Sequence, residues 1–354
     1  MALTLRSGLA GLAERITTPL LPSDYLDAIN PLLSGTHLRG RIVAIHPETP
    51  DAATIVIKPG RGWRRHIPGQ YLRLGVEING VRQWRTYSLT SRADRTDGCV
   101  SITVKAVPGG IVSNHLVHRT SAGTIVELEQ AAGDFTVDGT ADKILFITAG
   151  SGITPVMGML RNIENSHIAN SDIVVVHSAP SAEDVIFGAQ LRTLARQGQI
   201  RLVEIHTTTD GRIDPSRLTE LVNDLPQRRT WACGPAGMLT AIENHWAASG
   251  IADLLRTERF RADIIATGDG GTVRFTSAGT DVAAPGDQSL LDAGESAGVL
   301  MPSGCRMGIC FGCVAPLRRG AVRDLRNGAL TTAADNVVIQ TCISAAAGDC
   351  EIEL

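Results

Sequence analysis

The sequence predicts a multidomain chain: a small antiparallel β-barrel, then an α/β domain with a doubly wound parallel sheet, then a short C-terminal domain rich in cysteine. Three observations predict it. The 354 residues exceed what a single hydrophobic core usually holds. Short β-rich runs fill the chain from about residue 37 to 138, and strand–helix alternation replaces them from about 141. Beyond residue 300 the cysteines gather, with four of the seven in one pattern.

The first strands are Arg41–Ile45, Ala53–Ile57, Tyr71–Leu74 and Val100–Val104, divided by Pro and Gly turns as in small barrels. Over residues 139–264, Lys143–Thr148 and Asp172–His177 read as buried strands. Helical patterns follow each, at Pro155–Ile163 and Ala182–Gln197. The glycine-rich stretch Thr267-Gly268-Asp269-Gly270-Gly271 makes 265–271 a linker, and 272–354 forms the last domain. Ahead of the barrel, Leu5, Leu9, Leu12 and Ile16 recur at helical spacing until Pro19 and Pro22 stop them. Residues 1–36 are therefore an amphipathic arm, packed on the body or docked on a membrane or partner.

A net charge of -3 gives no reason to expect a nucleic-acid partner. No apolar run reaches the roughly 18 residues of a membrane span. The cysteine usage suits a reducing compartment, so a soluble cytoplasmic protein is expected. With 37 glycines and 4% aromatics, the chain has the composition of a protein that holds cofactors with backbone.

Cys305, Cys310, Cys313 and the distant Cys342 give C-x4-C-x2-C plus one, the plant-type spacing of a [2Fe–2S] cluster. Three thiolates from one loop and a fourth from elsewhere surround two irons. Gly304, Gly308 and Gly312 are expected to take positive φ there. A structural zinc site is the alternative, but zinc usually joins two short knuckles, and here the second half offers Cys342 alone.

Thr148-Ala149-Gly150-Ser151-Gly152-Ile153-Thr154-Pro155 follows the first parallel strand. Gly150 and Gly152 allow backbone N–H groups to approach a pyrophosphate, with Thr154 as N-cap and Pro155 as first helical residue. Trp231-Ala232-Cys233-Gly234-Pro235-Ala236-Gly237-Met238 makes a second strand-to-helix turn. There Cys233 is either a buried apolar residue or a sulfur beside a nicotinamide ring. The second strand ends His177-Ser178-Ala179-Pro180 without a carboxylate, which favours a 2′-phosphate, with Arg212 as a possible contact.

A nicotinamide delivers electrons in pairs and a cluster takes them singly, so a flavin is expected between them. In Arg85-Thr86-Tyr87-Ser88-Leu89, strand alternation points Arg85 and Tyr87 the same way. Arg85 suits a phosphate, Tyr87 the flavin ring and Ser88 the ring edge. Gly109-Gly110-Ile111-Val112-Ser113 reads as a glycine turn entering a helix, a second pyrophosphate seat. An ordinary half-buried strand and turn are the alternatives.

R-x-Y-S (Arg85, Tyr87, Ser88), G-x-x-S (Gly110, Ser113), G-x-G-x-T-P (Gly150, Gly152, Thr154, Pro155) and C-G-P (Cys233, Gly234, Pro235) occur in this order. So ordered, they resemble the ferredoxin–NADP reductase superfamily, with a plant-type ferredoxin fused at the C-terminus. The resemblance covers residue 37 to the end and implies a flavin barrel, a nicotinamide domain and a β-grasp ferredoxin. It also implies that Val104 and Lys105 line the flavin, that Thr154 touches it, and that the flavin is FAD rather than FMN. Phe260 is then either a cover over the flavin face or an apolar plug between domains. Asp24–Leu32, His245-Trp246 and Glu258-Arg259-Phe260 resemble actinobacterial reductases that serve membrane acyl-CoA desaturases. From that likeness come NADPH as donor (NADH as second choice), a desaturase acceptor and peripheral membrane contact through it. A cytochrome P450 or ring-hydroxylating oxygenase is the alternative acceptor, and a non-catalytic redox sensor the alternative role.

Overall fold

The structure, a computed structural model, describes residues 30–33, 38–137, 141–163, 170–260, 266–304, 306–308, 311–334 and 337–354. Most of the expected N-terminal arm, and Cys305 and Cys310, lie outside the described residues.

Six antiparallel strands form the first sheet: β1 (Arg39–Thr49), β2 (Ala52–Pro59), β3 (Tyr71–Ile78), β4 (Val81–Ser88), β5 (Val100–Lys105) and β6 (Ile125–Leu128), in the order β4-β3-β6-β1-β2-β5. Asn79 and Gly80, with φ of 53° and 77°, supply the two left-handed residues that a tight β3–β4 hairpin requires. An antiparallel bridge between Leu89 and Ile102, with Thr90 N–H donating to Ser101 O at 2.8 Å, joins the two sheet edges and closes the barrel. Closure leaves no long free edge and encloses Ile42, Ile55, Ile57, Leu72, Leu74 and Ile102. Helix α1 (Ile111–His118) buries Val112 and Leu116 in that core and turns its N-terminus outward.

The second sheet is wholly parallel. It holds β7 (Lys143–Ala149), β8 (Asp172–Ala179), β9 (Arg201–His206), β10 (Arg229–Cys233) and β11 (Leu255–Glu258), in the order β11-β10-β7-β8-β9. Between them run α2 (Ile153–Leu160), α3 (Gly188–Arg196), α4 (Pro215–Leu221) and α5 (Ala236–Ala248). Alternate strand residues face opposite layers. Ile144, Phe146 and Val175 pack with Val156, Leu160 and Leu191, whereas Leu145, Ile147 and Val176 pack with Leu218, Ile242 and Trp246. The strand order reverses between β7 and β10, which puts a ligand crevice at their carboxyl ends.

The third domain comprises β12 (Gly271–Phe275), β13 (Thr280–Ala284), α6 (Leu290–Ser296), β14 (Val314–Arg319), β15 (Ala321–Asp324), β16 (Leu330–Thr332), β17 (Val338–Gln340), β18 (Ser344–Ala346) and β19 (Cys350–Ile352). Its sheets run β13-β12-β19-β14-β17 and β16-β15-β18. Ser289 caps α6 by accepting from Asp292 N–H at 3.1 Å, and Leu290, Leu291 and Ala293 pack on Val273 and Phe275.

Four local expectations are corrected. Helix α2 begins at Ile153 because Gly152 is already helical, and Thr154 Oγ1 donates back to Ser151 O at 2.9 Å instead of capping. The pattern at Ala182–Gln197 splits into a 3-10 turn and α3, separated by Phe187 in a left-handed conformation. In the cysteine loop only Gly308 of the three glycines has positive φ, while Arg306 and Phe311 take left-handed values of 59° and 55°. The glycine run is not free chain: Gly268 N–H donates to Gly286 O at 2.7 Å and Gly270 N–H to Ala346 O at 3.1 Å, tying it into the third domain.

Candidate functional site

The three domains meet around one cleft of about 740 Å³. Strand β4 supplies Arg85, Thr86, Tyr87 and Ser88, the end of β5 supplies Val104 and Lys105, and Gly110–Ser113 open α1 against it. The parallel-sheet domain adds Thr154 and Phe260, and the third domain adds Cys342. Ten barrel residues expected at a flavin therefore line one cavity, together with Cys342, one of the four cysteines expected at the cluster.

Three observations fit this wall to a flavin nucleotide. The hydroxyls of Thr86 and Ser88 are buried without a partner, so each has hydrogen-bonding capacity to offer. Burial pushes the Tyr87 phenol far up, so its ring is a neutral apolar face. Gly110, the N-cap of α1, provides no side-chain cap, which leaves the first-turn N–H groups for an anion. A Cβ at Gly110 would stand 2.5 Å from Ser113 Oγ and 2.6 Å from Val107. The turn is thus tight, and Ser113 Oγ is occupied in accepting from Val107 N–H at 3.2 Å. Arg85 is half-buried, donates to Trp84 O at 2.8 Å and lies 3.6 Å from Glu295.

The two strand-to-helix turns of the parallel sheet lie side by side, since Thr148 and Cys233 are partners in the β7–β10 register. A Cβ on Gly152 would sit 2.1 Å from Cys233 O, and one on Gly234 would sit 2.6 Å from Met238 Cε. Ser151 and Thr154 reach the cleft, whereas Gly150, Gly152, Pro155, Gly234, Pro235 and Met238 are not among its lining residues. Cys233 is also off the wall. It is fully buried, and burial with nearby Glu258 drives its thiol up. Phe260 stands on the wall at 40% exposure. Arg212 lies on an exposed turn.

Charged residues assigned no chemical role from the sequence also line the cleft, Glu258, Glu295 and Arg306 among them. Glu258 pairs in register with Cys233, and burial raises its carboxyl to about 8. Its signal was an acid at the carboxyl end of a parallel strand beside the crevice. Glu295 and Arg306 come from α6 and the cysteine loop. Between an ordinary value of 4.5 and about 8, folded Glu258 keeps a proton that the unfolded chain has lost. Stability therefore falls as pH rises through that window. Glu258→Gln removes this slope, so its melting temperature is expected to exceed wild type by a few °C near pH 8 and to match it at the acid end. Parallel melting curves across pH would contradict this.

Cys313 and Cys342 are both buried, and a hydrogen bond from the Cys342 thiol pulls the Cys313 thiol below its ordinary range. A thiol poised to ionise beside a second sulfur suits a metal ligand pair.

Comparison with known proteins follows the same division. Residues 64–137 match the family described as "Oxidoreductase FAD-binding domain", 146–244 "Oxidoreductase NAD-binding domain", and 275–347 "2Fe-2S iron-sulfur cluster binding domain". An "NADPH oxidoreductase" of Mycobacterium tuberculosis is 48% identical over 349 residues, covering 97% of this chain and 91% of its own. A "Glycine betaine monooxygenase reductase subunit" of Pseudomonas aeruginosa is 29% identical, covering 92% and 98%. Phthalate dioxygenase reductase shares the fold with a TM-score of 0.65 at 22% identity, over 90% of this chain and 98% of its own. The chain belongs to the ferredoxin–NADP reductase superfamily, as an oxidoreductase with FAD-binding, NAD(P)-binding and C-terminal [2Fe–2S] ferredoxin domains.

Proposed function

We propose that this enzyme draws electrons from NADPH and delivers them to an oxygenase-type acceptor, a membrane acyl-CoA desaturase in particular. The observation that carries the reading is the shared cleft, which has the β4 wall, the nicotinamide-side rim and Cys342 in one cavity. When bound, the flavin takes an electron pair from the nicotinamide and gives electrons singly to the cluster.

The chain's own residues would bind and align. Arg85 and the α1 N-terminus at Gly110–Ser113 hold the flavin phosphates, Tyr87 packs on its ring, and Thr86, Ser88, Val104 and Lys105 border it. The turns at Gly150–Pro155 and Cys233–Met238 seat the dinucleotide, and Phe260 covers the face it must reach. Cys305, Cys310, Cys313 and Cys342 hold the cluster. The corresponding units are 37–138, 139–264 and 272–354.

The end of β8 supports NADPH, since Ser178 and Ala179 place no carboxylate there to repel a 2′-phosphate. The name of the Mycobacterium tuberculosis relative points the same way. Relatives named as monooxygenase reductases support an oxygenase acceptor. The desaturase rests on the likeness of Asp24–Leu32, His245-Trp246 and Glu258–Phe260 to desaturase reductases. Among the described residues no helix is long and apolar enough to cross a membrane. The membrane contact in this reading is peripheral, through the acceptor. The test is turnover with NADPH and with NADH against three acceptors: a desaturase in lipid vesicles, a ring-hydroxylating oxygenase and a cytochrome P450. NADPH-driven desaturation above the other two supports the reading. Faster turnover of either other acceptor would replace the desaturase, and negligible turnover with all three would favour a sensor.

A further inference from the structure

Where the barrel meets the third domain, two arginines face one carboxylate. Glu295, on α6, lies 3.6 Å through Oε2 from Arg85 Nη2 on β4, while its Oε1 accepts from Arg306 Nη2. Arg306 directly follows Cys305 and also donates to Asp292 Oδ1 at 2.8 Å. All three side chains are largely shielded, at 20%, 14% and 19% exposure for Arg85, Glu295 and Arg306, so solvent screens them incompletely. Arg306 holds this position from a left-handed backbone conformation, which a long side chain adopts only when its surroundings fix it. A second tie runs alongside: Arg73 Nη2 on β3 donates to Ser303 O at 2.9 Å, two residues before Cys305.

The charges set the sign of the contact. Arg85 and Arg306 repel one another across the domain boundary, and burial and the Arg306 charge both bear against the charged form of Arg85. Glu295 is the group between them that turns repulsion into attraction. We propose that Glu295 is a positioning residue for electron transfer between domains, its two carboxylate oxygens clamping the cysteine loop, through Arg306, to Arg85 on the flavin wall. The clamp rests on the flavin and cluster assignments above. In the step it serves, one electron leaves reduced flavin for each oxidised cluster, twice for each nicotinamide oxidised.

The experiment uses the full-length, cofactor-loaded protein mixed anaerobically with saturating NADPH, with flavin and cluster bleaching followed separately. Glu295→Gln is expected to leave the flavin phase within about twofold and slow the cluster phase about tenfold, as the clamped population falls. Glu295→Asp keeps the charge and should recover most of that loss. A change confined to cluster assembly would alter the reduced cluster's paramagnetic resonance, which should instead match wild type in Glu295→Gln. Small-angle scattering should show a larger radius of gyration for the Gln variant.

If Glu295→Gln does not retain its cluster, the wild type still decides the matter. Raising salt from about 0.05 to about 0.5 M should slow its cluster phase by about twofold, since the largely shielded clamp is screened only in part. Wild-type cluster kinetics in Glu295→Gln, or a salt-independent cluster phase where that variant cannot be loaded, would overturn the proposal. A wild type whose flavin never bleaches with NADPH would instead overturn the reading on which the clamp rests.

Discussion

Cys313→Ser is expected to abolish electron delivery to a protein acceptor while leaving reduction of the flavin by NADPH intact. Cys313 is buried at the head of β14 and hydrogen-bonded to Cys342, which draws its thiol below the ordinary range and suits it to ligate as thiolate. Serine binds iron poorly at neutral pH, and losing one thiolate of four strips or distorts the cluster. The flavin wall belongs to a separate domain with its own core and would survive. Acceptor turnover should fall by more than about 100-fold, since even groups that merely orient metal ligands cost 10–100-fold when removed. Stopped-flow bleaching of the flavin beside an acceptor assay checks this. Undiminished acceptor turnover would mean that electrons leave by a route other than the cluster.

Gly152→Ala carries the second large effect. Its new Cβ would lie 2.1 Å from the Cys233 carbonyl oxygen and 2.5 Å from its carbon, both backbone atoms at the end of a central strand. Neither turn can yield without parting β7 from β10 at the point where the dinucleotide would sit. Overpacking of this kind costs about 1–3 kcal/mol, which is roughly 5- to 150-fold if it falls on coenzyme binding. The KM for NADPH should rise within that range while the bound flavin's spectrum stays unchanged. A KM for NADPH equal to wild type in Gly152→Ala would separate the Gly152 contact from coenzyme binding.

What the sequence disclosed follows the range of the forces involved. Strand alternation and the glycine turns are local, so the β4 wall at Arg85–Ser88 and the turn at Gly110–Ser113 were legible and meet in one cleft. The cysteine spacing was legible because ligand geometry constrains a single loop. Glu258 was not, since its place beside Cys233 comes from parallel pairing of strands 25 residues apart in sequence. The Arg85–Glu295–Arg306 contact joins two domains, and no local periodicity records it. Thr154 shows the opposite error. A plausible cap in sequence lost its role because Gly152 had already started the turn, leaving Thr154 inside α2.

The central claim, a relay of NADPH electrons through flavin to cluster in one cleft, is tested most directly by anaerobic titration of the purified protein with NADPH, then NADH, read by visible absorption. The account predicts flavin bands over a broad cluster envelope, both bleached, and faster by NADPH. A flavin that bleaches while the cluster envelope stays oxidised would contradict the relay.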